Sequence, residues 1–181
     1  VNGEENEVGE KLQNIEFVEL EHDETVFWRV HQSKFRTFEQ ANKNCLSIGM
    51  QLPVQMTYSE NQAFASIGGG NFYLGVSDRQ VEGTHVNIYT NEPLQATYWA
   101  PGEPNDYTKA NSQFKDGEDY VMMRIDPTWT HNGQWNDVPA NWPHGNAQTV
   151  CVEQIKEEEL DQVQTYDDMF DQVEWVWSSL D

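Results

Sequence analysis

The alternation of apolar and polar positions first forms a strand-like run at Val26-Phe27-Trp28-Arg29-Val30, and then the period changes. Thr37-Phe38-Glu39-Gln40 has the form of a capping box and predicts an amphipathic helix through about Gly49, with Cys45 on it. A second box, Ser59-Glu60-Asn61-Gln62, predicts a shorter helix that the glycines at 68 to 70 end. Phe72-Tyr73-Leu74-Gly75-Val76 reads as a short buried strand. From there to Cys151 the chain is rich in Gly, Pro, Asn and Asp, with short strand candidates such as Tyr120 to Ile125. Helices first, then short strands joined by long loops, predict an α+β domain. Toward the C-terminus Val163, Tyr166, Phe170, Val173, Trp177 and Leu180 recur at helical spacing with acids between them, while Val8, Leu12 and Ile15 make a weaker stripe near the N-terminus.

Charge divides the chain along the same lines. Lys and Arg number 10 against 31 Asp and Glu in 181 residues, a net charge of -21, which excludes nucleic acid and anionic membrane surfaces as partners. Residues 1–26 hold nine acids beside Lys11, and residues 156–181 hold nine beside Lys156. The acidity therefore belongs to the ends, and residues 27–155 read as the compact domain between an acidic N-terminal extension and an acidic amphipathic C-terminal helix. Despite a mean hydropathy of -0.78, the 12% aromatic content and 7 Trp separate this chain from acidic disordered sequences. No run approaches the roughly 20 apolar residues of a membrane-spanning helix, so no membrane insertion is expected, and the residues from Val1 onward do not form a basic-then-apolar leader. Cys45 and Cys151 are the two cysteines; alone they fit a bridge or two buried thiols equally.

The loop-rich half concentrates side-chain oxygens: Asp78 and Glu82, then Glu103, Asn105 and Asp106, then Glu118 and Asp119, then Asn136 and Asp137. Scattered Asp and Asn form turns in any solvated loop. Together, however, they are the ligand types that calcium takes, and clustered carboxylates without a cation repel one another. A calcium-bound Asn keeps its NH₂ as a donor and a bound carboxylate keeps acceptor lone pairs, so alternating amide and acid can grip a vicinal diol.

Glu103-Pro104-Asn105, with Trp135-Asn136-Asp137 further on and the two cysteines bracketing both, resembles the C-type lectin family. The resemblance runs from about Phe27 to Glu153. It includes Trp99-x-x-Gly102-Glu103-Pro104-Asn105-Asp106 and the Tyr73-Leu74-Gly75-Val76 strand. It implies a C-type lectin-like α+β fold, two helices with small antiparallel sheets and long calcium-binding loops, and a cis Glu103-Pro104 peptide. It further implies a sugar-binding calcium site of Glu103, Asn105, Glu118, Asn136 and Asp137, and a second, loop-ordering calcium site of Asp78, Glu82, Asp106, Glu118 and Asp119. The sugar contacts it implies are Glu103, Asn105, Glu118 and Asn136, flanked by Tyr107 and Val138, with preference for mannose-type glycans bearing equatorial 3- and 4-hydroxyls. Cys45 and Cys151 match the family's disulfide between the first helix and the last strand, which implies an oxidising, extracellular setting and a secreted protein. A second disulfide common in the family is absent, with Tyr120 and Ala140 near its positions, and the segment from Tyr107 to Asp116 is longer than in compact members.

Other chemistries lack a template. His22, His31, His85, His131 and His144 show no metal-ligand spacing and are expected at the surface. No nucleophile elbow, P-loop or dinucleotide fingerprint is present, and the carboxylates come with amides that suit calcium better than acid–base catalysis. The expectation is a calcium-dependent carbohydrate-binding protein and not an enzyme. The rival is an acidic structural or mineral-associated matrix protein on the same fold. The stripe in 157–181 is expected to dock on its own domain, self-associate or meet a protein partner.

Overall fold

A computed structural model describes residues 15–19, 27–34, 37–54, 56–67, 69–108, 110, 112, 114–125, 132–141 and 147–155. In chain order the elements are β1 (Ile15–Glu19), β2 (Phe27–Ser33), α1 (Phe38–Ser47), α2 (Tyr58–Ser66), β3 (Asn71–Ser77), β4 (Val86–Asn87), β5 (Tyr120–Met123), β6 (Trp135–Val138) and β7 (Ala147–Ile155). The two early helices and the short strands that follow agree with the α+β reading. The C-terminal stripe from Val163 to Leu180 lies outside the described residues.

Both helices are fixed by their N-caps. Thr37, in extended backbone, accepts from the Gln40 N–H at 3.2 Å, and α1 buries Phe38, Ala41 and Cys45 along one face. The second helix starts at Tyr58, two residues ahead of the start implied by the Ser59 box. Thr57 is the cap: its hydroxyl accepts from the Glu60 N–H at 3.3 Å, while the Glu60 carboxylate accepts from the Thr57 N–H at 2.6 Å. Thr57-x-x-Glu60 overlaps Ser59-x-x-Gln62, and the box whose third member is a carboxylate prevails.

The strands run in the order β1-β2-β7-β3-β5-β6, with β4 paired to β3. β2 is antiparallel to both of its neighbours, β1 and β7, and β5 to both of its own, β3 and β6; one short parallel contact joins the groups at Asn71 with Ala147 and Phe72 with Gln148. That contact makes the sheet mixed where small antiparallel sheets were expected. β1 comes from the acidic stretch before residue 27: Ile15, the last member of the weak N-terminal stripe, opens a strand that pairs along β2.

Strand alternation sorts the core into two clusters. Phe72, Leu74 and Val76 of β3, Val121 and Met123 of β5, and Val150 and Val152 of β7 pack with Phe64 and Trp135. Residues of opposite parity, Tyr73, Tyr120, Met122 and Cys151, pack with Phe38, Ala41, Cys45 and Leu52 of the α1 side. Cys45 and Cys151 form the disulfide across that second cluster, 106 residues apart. For a loop of this length the chain-entropy model gives about 4 to 5 kcal/mol. Near the expected positions of a second disulfide, the Tyr120 ring lies 4.1 Å from that of Phe38, and the Ala140 carbonyl accepts from the Phe38 N–H at 2.9 Å and the Tyr73 hydroxyl at 3.0 Å. Packing and hydrogen bonds thus tie the end of β6 to α1 and β3. Among the described residues no helix is long and apolar enough to cross a membrane.

Candidate functional site

Where β3 ends and β5 begins, the chain passes within one residue from apolar core to acid. Asp78 follows Ser77, and Glu118 and Asp119 precede Tyr120; the Asp78 N–H donates to the Asp119 carbonyl at 3.2 Å. A turn after Asp78, closed by Val81 N–H to the Asp78 carbonyl and by Gly83 N–H to Asp78 Oδ2 at 3.0 Å, returns Glu82 toward Asp78. Carboxylate oxygens of Asp78, Glu82 and Asp119 lie within 4.8 Å of one another. Burial, reinforced by the neighbouring Asp78 and Asp106 charges, raises the pKa of Glu82. Asp119 is raised for the same leading cause, with Arg79 opposing. Asp78 is buried, and its Oδ1 has no hydrogen-bond partner among the described residues.

A second group forms where the loop after Trp99 crosses β6. The Ala100 N–H donates to the Trp135 carbonyl at 2.9 Å and the Trp135 N–H to the Tyr98 carbonyl at 2.7 Å, which lays the loop against the strand. The Trp135 indole N–H is itself held by buried Asn61 at 2.8 Å. Asp137 is the hub: its Oδ2 accepts from the backbone N–H of Asn105 at 2.8 Å and of Asp106 at 2.6 Å, and its buried Oδ1 has no partner among the described residues. The Glu103–Pro104 peptide is cis, and the Asn105 amide donates to Glu103 Oε2. Across the loop, Glu118 accepts from the Tyr107 N–H and its own N–H donates to Asp106 Oδ1, both at 2.9 Å. Gly117 sits between them at φ +89°, where a Cβ would run into the Asp106 carboxylate.

These groups wall a cleft of about 210 Å³ lined by Glu103, Asn105, Glu118 and Asn136 together with Tyr107, Phe114 and Arg124. Burial, with the charges of Asp137, Glu103 and Asp106 adding to it, pushes Glu118 up to about 7 against the pull of the Tyr107 N–H. Glu103 is raised by burial and by Asp137, with Arg124 opposing. Oxygen donors only, carboxyls pushed toward neutrality, and two buried carboxylate oxygens without a donor form a donor set that fits a hard divalent cation.

No family model matches the chain. Versican core protein of Bos taurus is 31% identical over 108 residues, 59% of this chain and 3% of that protein. Pulmonary surfactant-associated protein D of Bos taurus is 34% identical over 105 residues, 56% of this chain and a quarter of that protein (25%). The matched segment is thus a small part of these relatives. The crystal structure of the cow C-type carbohydrate-recognition domain of CD23, determined in the presence of a GlcNAc2Man3 oligosaccharide, aligns with a TM-score of 0.57 at 23% identity over 71% of this chain and 89% of that one. A calcium-independent type II antifreeze protein aligns with a TM-score of 0.55 at 21% identity over 71% and 88%. The chain carries a C-type lectin-like domain.

In this lectin-like domain the residues named from sequence fall into three sets. Glu103, Asn105, Glu118 and Asn136 line one cleft, and Asp137 lies behind it, joined to the Asn105 and Asp106 backbone. Asp78, Glu82 and Asp119 form the other group; Asp106 and Glu118 stand between the two, bonded to each other. Val138, expected as a sugar contact, is fully buried with Phe38, Tyr73 and Tyr120, because the strand alternation that sends Asp137 one way sends Val138 into the core. Tyr107 is 50% exposed on the cleft wall. His85, expected at the surface, is largely covered, its ring 4.8 Å from that of Trp99 and its Nε2 3.5 Å from Asp78 Oδ2. Phe114 and Arg124 were not read as site residues. For Arg124 strand parity alone misleads, since Tyr120 and Met122 of the same parity are buried in the second core cluster; the β5–β6 register that sets Met122 opposite Asn136 is what brings Arg124 to the cleft.

Proposed function

We propose that the chain is a secreted, calcium-dependent lectin of mannose-type specificity, with its C-type lectin-like domain over residues 27–155 and acidic appendages over 1–26 and 156–181. The observation that carries this reading is the convergence of Glu103, Asn105, Glu118 and Asn136 on one cleft, backed by Asp137, whose buried Oδ1 has no partner among the described residues. In this reading Glu103, Asn105, Glu118, Asn136 and Asp137 hold one calcium ion, and Asp78, Glu82, Asp106, Glu118 and Asp119 hold a second that orders the loops. Bound calcium supplies coordination positions for two neighbouring sugar hydroxyls. Glu103 then accepts from one hydroxyl and Asn105 donates to the other, an order that suits the equatorial 3- and 4-hydroxyls of mannose. Exchanging the two functions with Glu103→Gln and Asn105→Asp shifts preference toward galactose. The Cys45–Cys151 disulfide and the extracellular relatives support secretion.

A glycan array run with calcium and again with chelator tests the reading: mannose-type glycans are retained with calcium and lost with chelator. The calcium-independent antifreeze protein of the same fold favours a second reading, in which this domain and its acidic ends serve a structural or mineral-associated role. Retention of no glycan, with adsorption to calcium mineral, selects that alternative.

A further inference from the structure

Among the described residues the large apolar side chains left exposed are Leu46, Tyr58, Val81 and Tyr107, and of these Tyr107 alone lines the cleft. Its ring meets that of Phe114 edge to face, with centroids 5.4 Å apart and planes at 76°, and Phe114 lines the same cleft. Neither ring belongs to either core cluster, so the pair packs on itself at the cleft and not in the interior of the domain. Backbone bonds tie both residues to the proposed ligands. The Tyr107 N–H donates to Glu118 Oε2 at 2.9 Å. Further along, the Phe114 N–H donates to Ser112 Oγ at 3.2 Å, the Lys115 N–H to the Ser112 carbonyl at 3.2 Å and the Gly117 N–H to the Phe114 carbonyl at 3.4 Å, a turn that brings the chain back to Glu118. Changes of the two side chains leave these backbone donors in place.

We propose that Tyr107 and Phe114 form an apolar subsite that makes this cleft select glycosides with an apolar group, aryl or alkyl, on the anomeric carbon of the cation-bound sugar; this rests on the lectin reading above. The other lining residues are polar or charged, and in the proposed site Glu103, Asn105, Glu118 and Asn136 are committed to the cation and its diol. A pyranose that presents its 3- and 4-hydroxyls there keeps hydroxyls on carbons 2 and 6, which gain nothing from aromatic surface. Carbon 1 lies across the ring from carbon 4, so its substituent leads away from the cation and is the part of the ligand free to be apolar. Covering exposed aromatic surface is favourable in proportion to the area taken from water, and two rings set at an angle offer a flat group both a face and an edge. A preference of this origin is insensitive to salt, unlike one between exposed charges.

Calorimetry on the full chain in millimolar calcium tests this with methyl, butyl and phenyl mannosides, each as both anomers. In at least one anomeric series the phenyl glycoside binds about tenfold more tightly than the methyl, with the butyl between them, and the heat-capacity change becomes more negative in the same order. The phenyl-to-methyl ratio holds as salt is added, falls toward parity in Phe114→Ser and in Tyr107→Ser, and is kept in Phe114→Tyr. Parity in the wild-type protein, with methyl mannoside still bound, overturns this proposal and leaves the lectin reading standing. A gain that survives both serine substitutions together, or phenyl mannoside retained in excess chelator, places the apolar contact elsewhere and overturns it as well. Absence of binding by every glycoside overturns both.

Discussion

Tyr120 and Asp119 are neighbours in the chain and belong to opposite kinds of structure. Tyr120 packs on Phe38 and Tyr73 in a dry cluster that also holds the disulfide, and the hydroxyl of Tyr73 is hydrogen-bonded to the Pro139 and Ala140 carbonyls. Asp119 joins Asp78 and Glu82 in a group of like charges that includes a buried oxygen with no donor among the described residues. The first region is complete with the atoms of the chain. The second, with the cleft beside it, gathers more carboxylates than the nearby Arg79 and Arg124 offset. A fold that gathers carboxylates beside a self-sufficient core gains stability at neutral pH from whatever cation those carboxylates hold.

The widest separation between the two regions is expected from truncation on the dry side. Phe38→Ala removes a buried ring in contact with Tyr73 and Tyr120, and lowers unfolding stability by about 3 to 5 kcal/mol. Chemical denaturation gives the same loss with calcium and with chelator.

A smaller effect of opposite character is expected at Asp78. Binding at a free calcium about 100 times the dissociation constant adds about 2.7 kcal/mol. Asp78→Asn removes most of the increment due to the loop-ordering site and, by relieving repulsion with Glu82 and Asp119, leaves stability in chelator unchanged or raised. Equal losses in the two buffers would place Asp78 with Phe38 as a packing residue.

These two residues also differ in how far sequence pattern reaches. Phe38 follows directly from the Thr37 cap and the helical stripe it starts, and the strand parity of Tyr73, Met122 and Cys151 follows from period two. Candidate ligands were legible as residue types in spaced motifs. Their roles as hubs were not, because the bonds from Asp137 to the Asn105 and Asp106 N–H groups span more than 30 residues and depend on how two loops meet. Val138 was misplaced by judging proximity along the chain without its strand face. Ser59 was taken for a cap because two capping boxes overlap, and β1 was missed because pairing with β2, and not the weak stripe at Val8, Leu12 and Ile15, decides the conformation of Ile15.

The smallest separation is in pH dependence. Without calcium, folded Glu118 holds its proton up to about 7, against an ordinary value of 4.5. The unfolded chain therefore gives up its proton first as pH rises. The stability linked to this group is present below about pH 4.5 and is lost as pH rises through about 7, and Glu82, Glu103 and Asp119 shift in the same direction. Calcium competes with protons for these oxygens, so the melting-temperature gain from calcium grows over the same window. Melting curves in chelator and in millimolar calcium across that range check both signs. A gain from calcium that does not vary with pH contradicts the assignment of these carboxyls as ligands.

The central claim, a sugar diol held at a calcium ion in the Glu103–Asn105–Asn136 cleft, is tested most directly by titrating methyl mannoside into the full chain by calorimetry, in millimolar calcium and then in excess chelator. The account predicts saturable binding in the first and none in the second, with affinity restored when calcium is returned. Equal mannoside affinity in both buffers would contradict it.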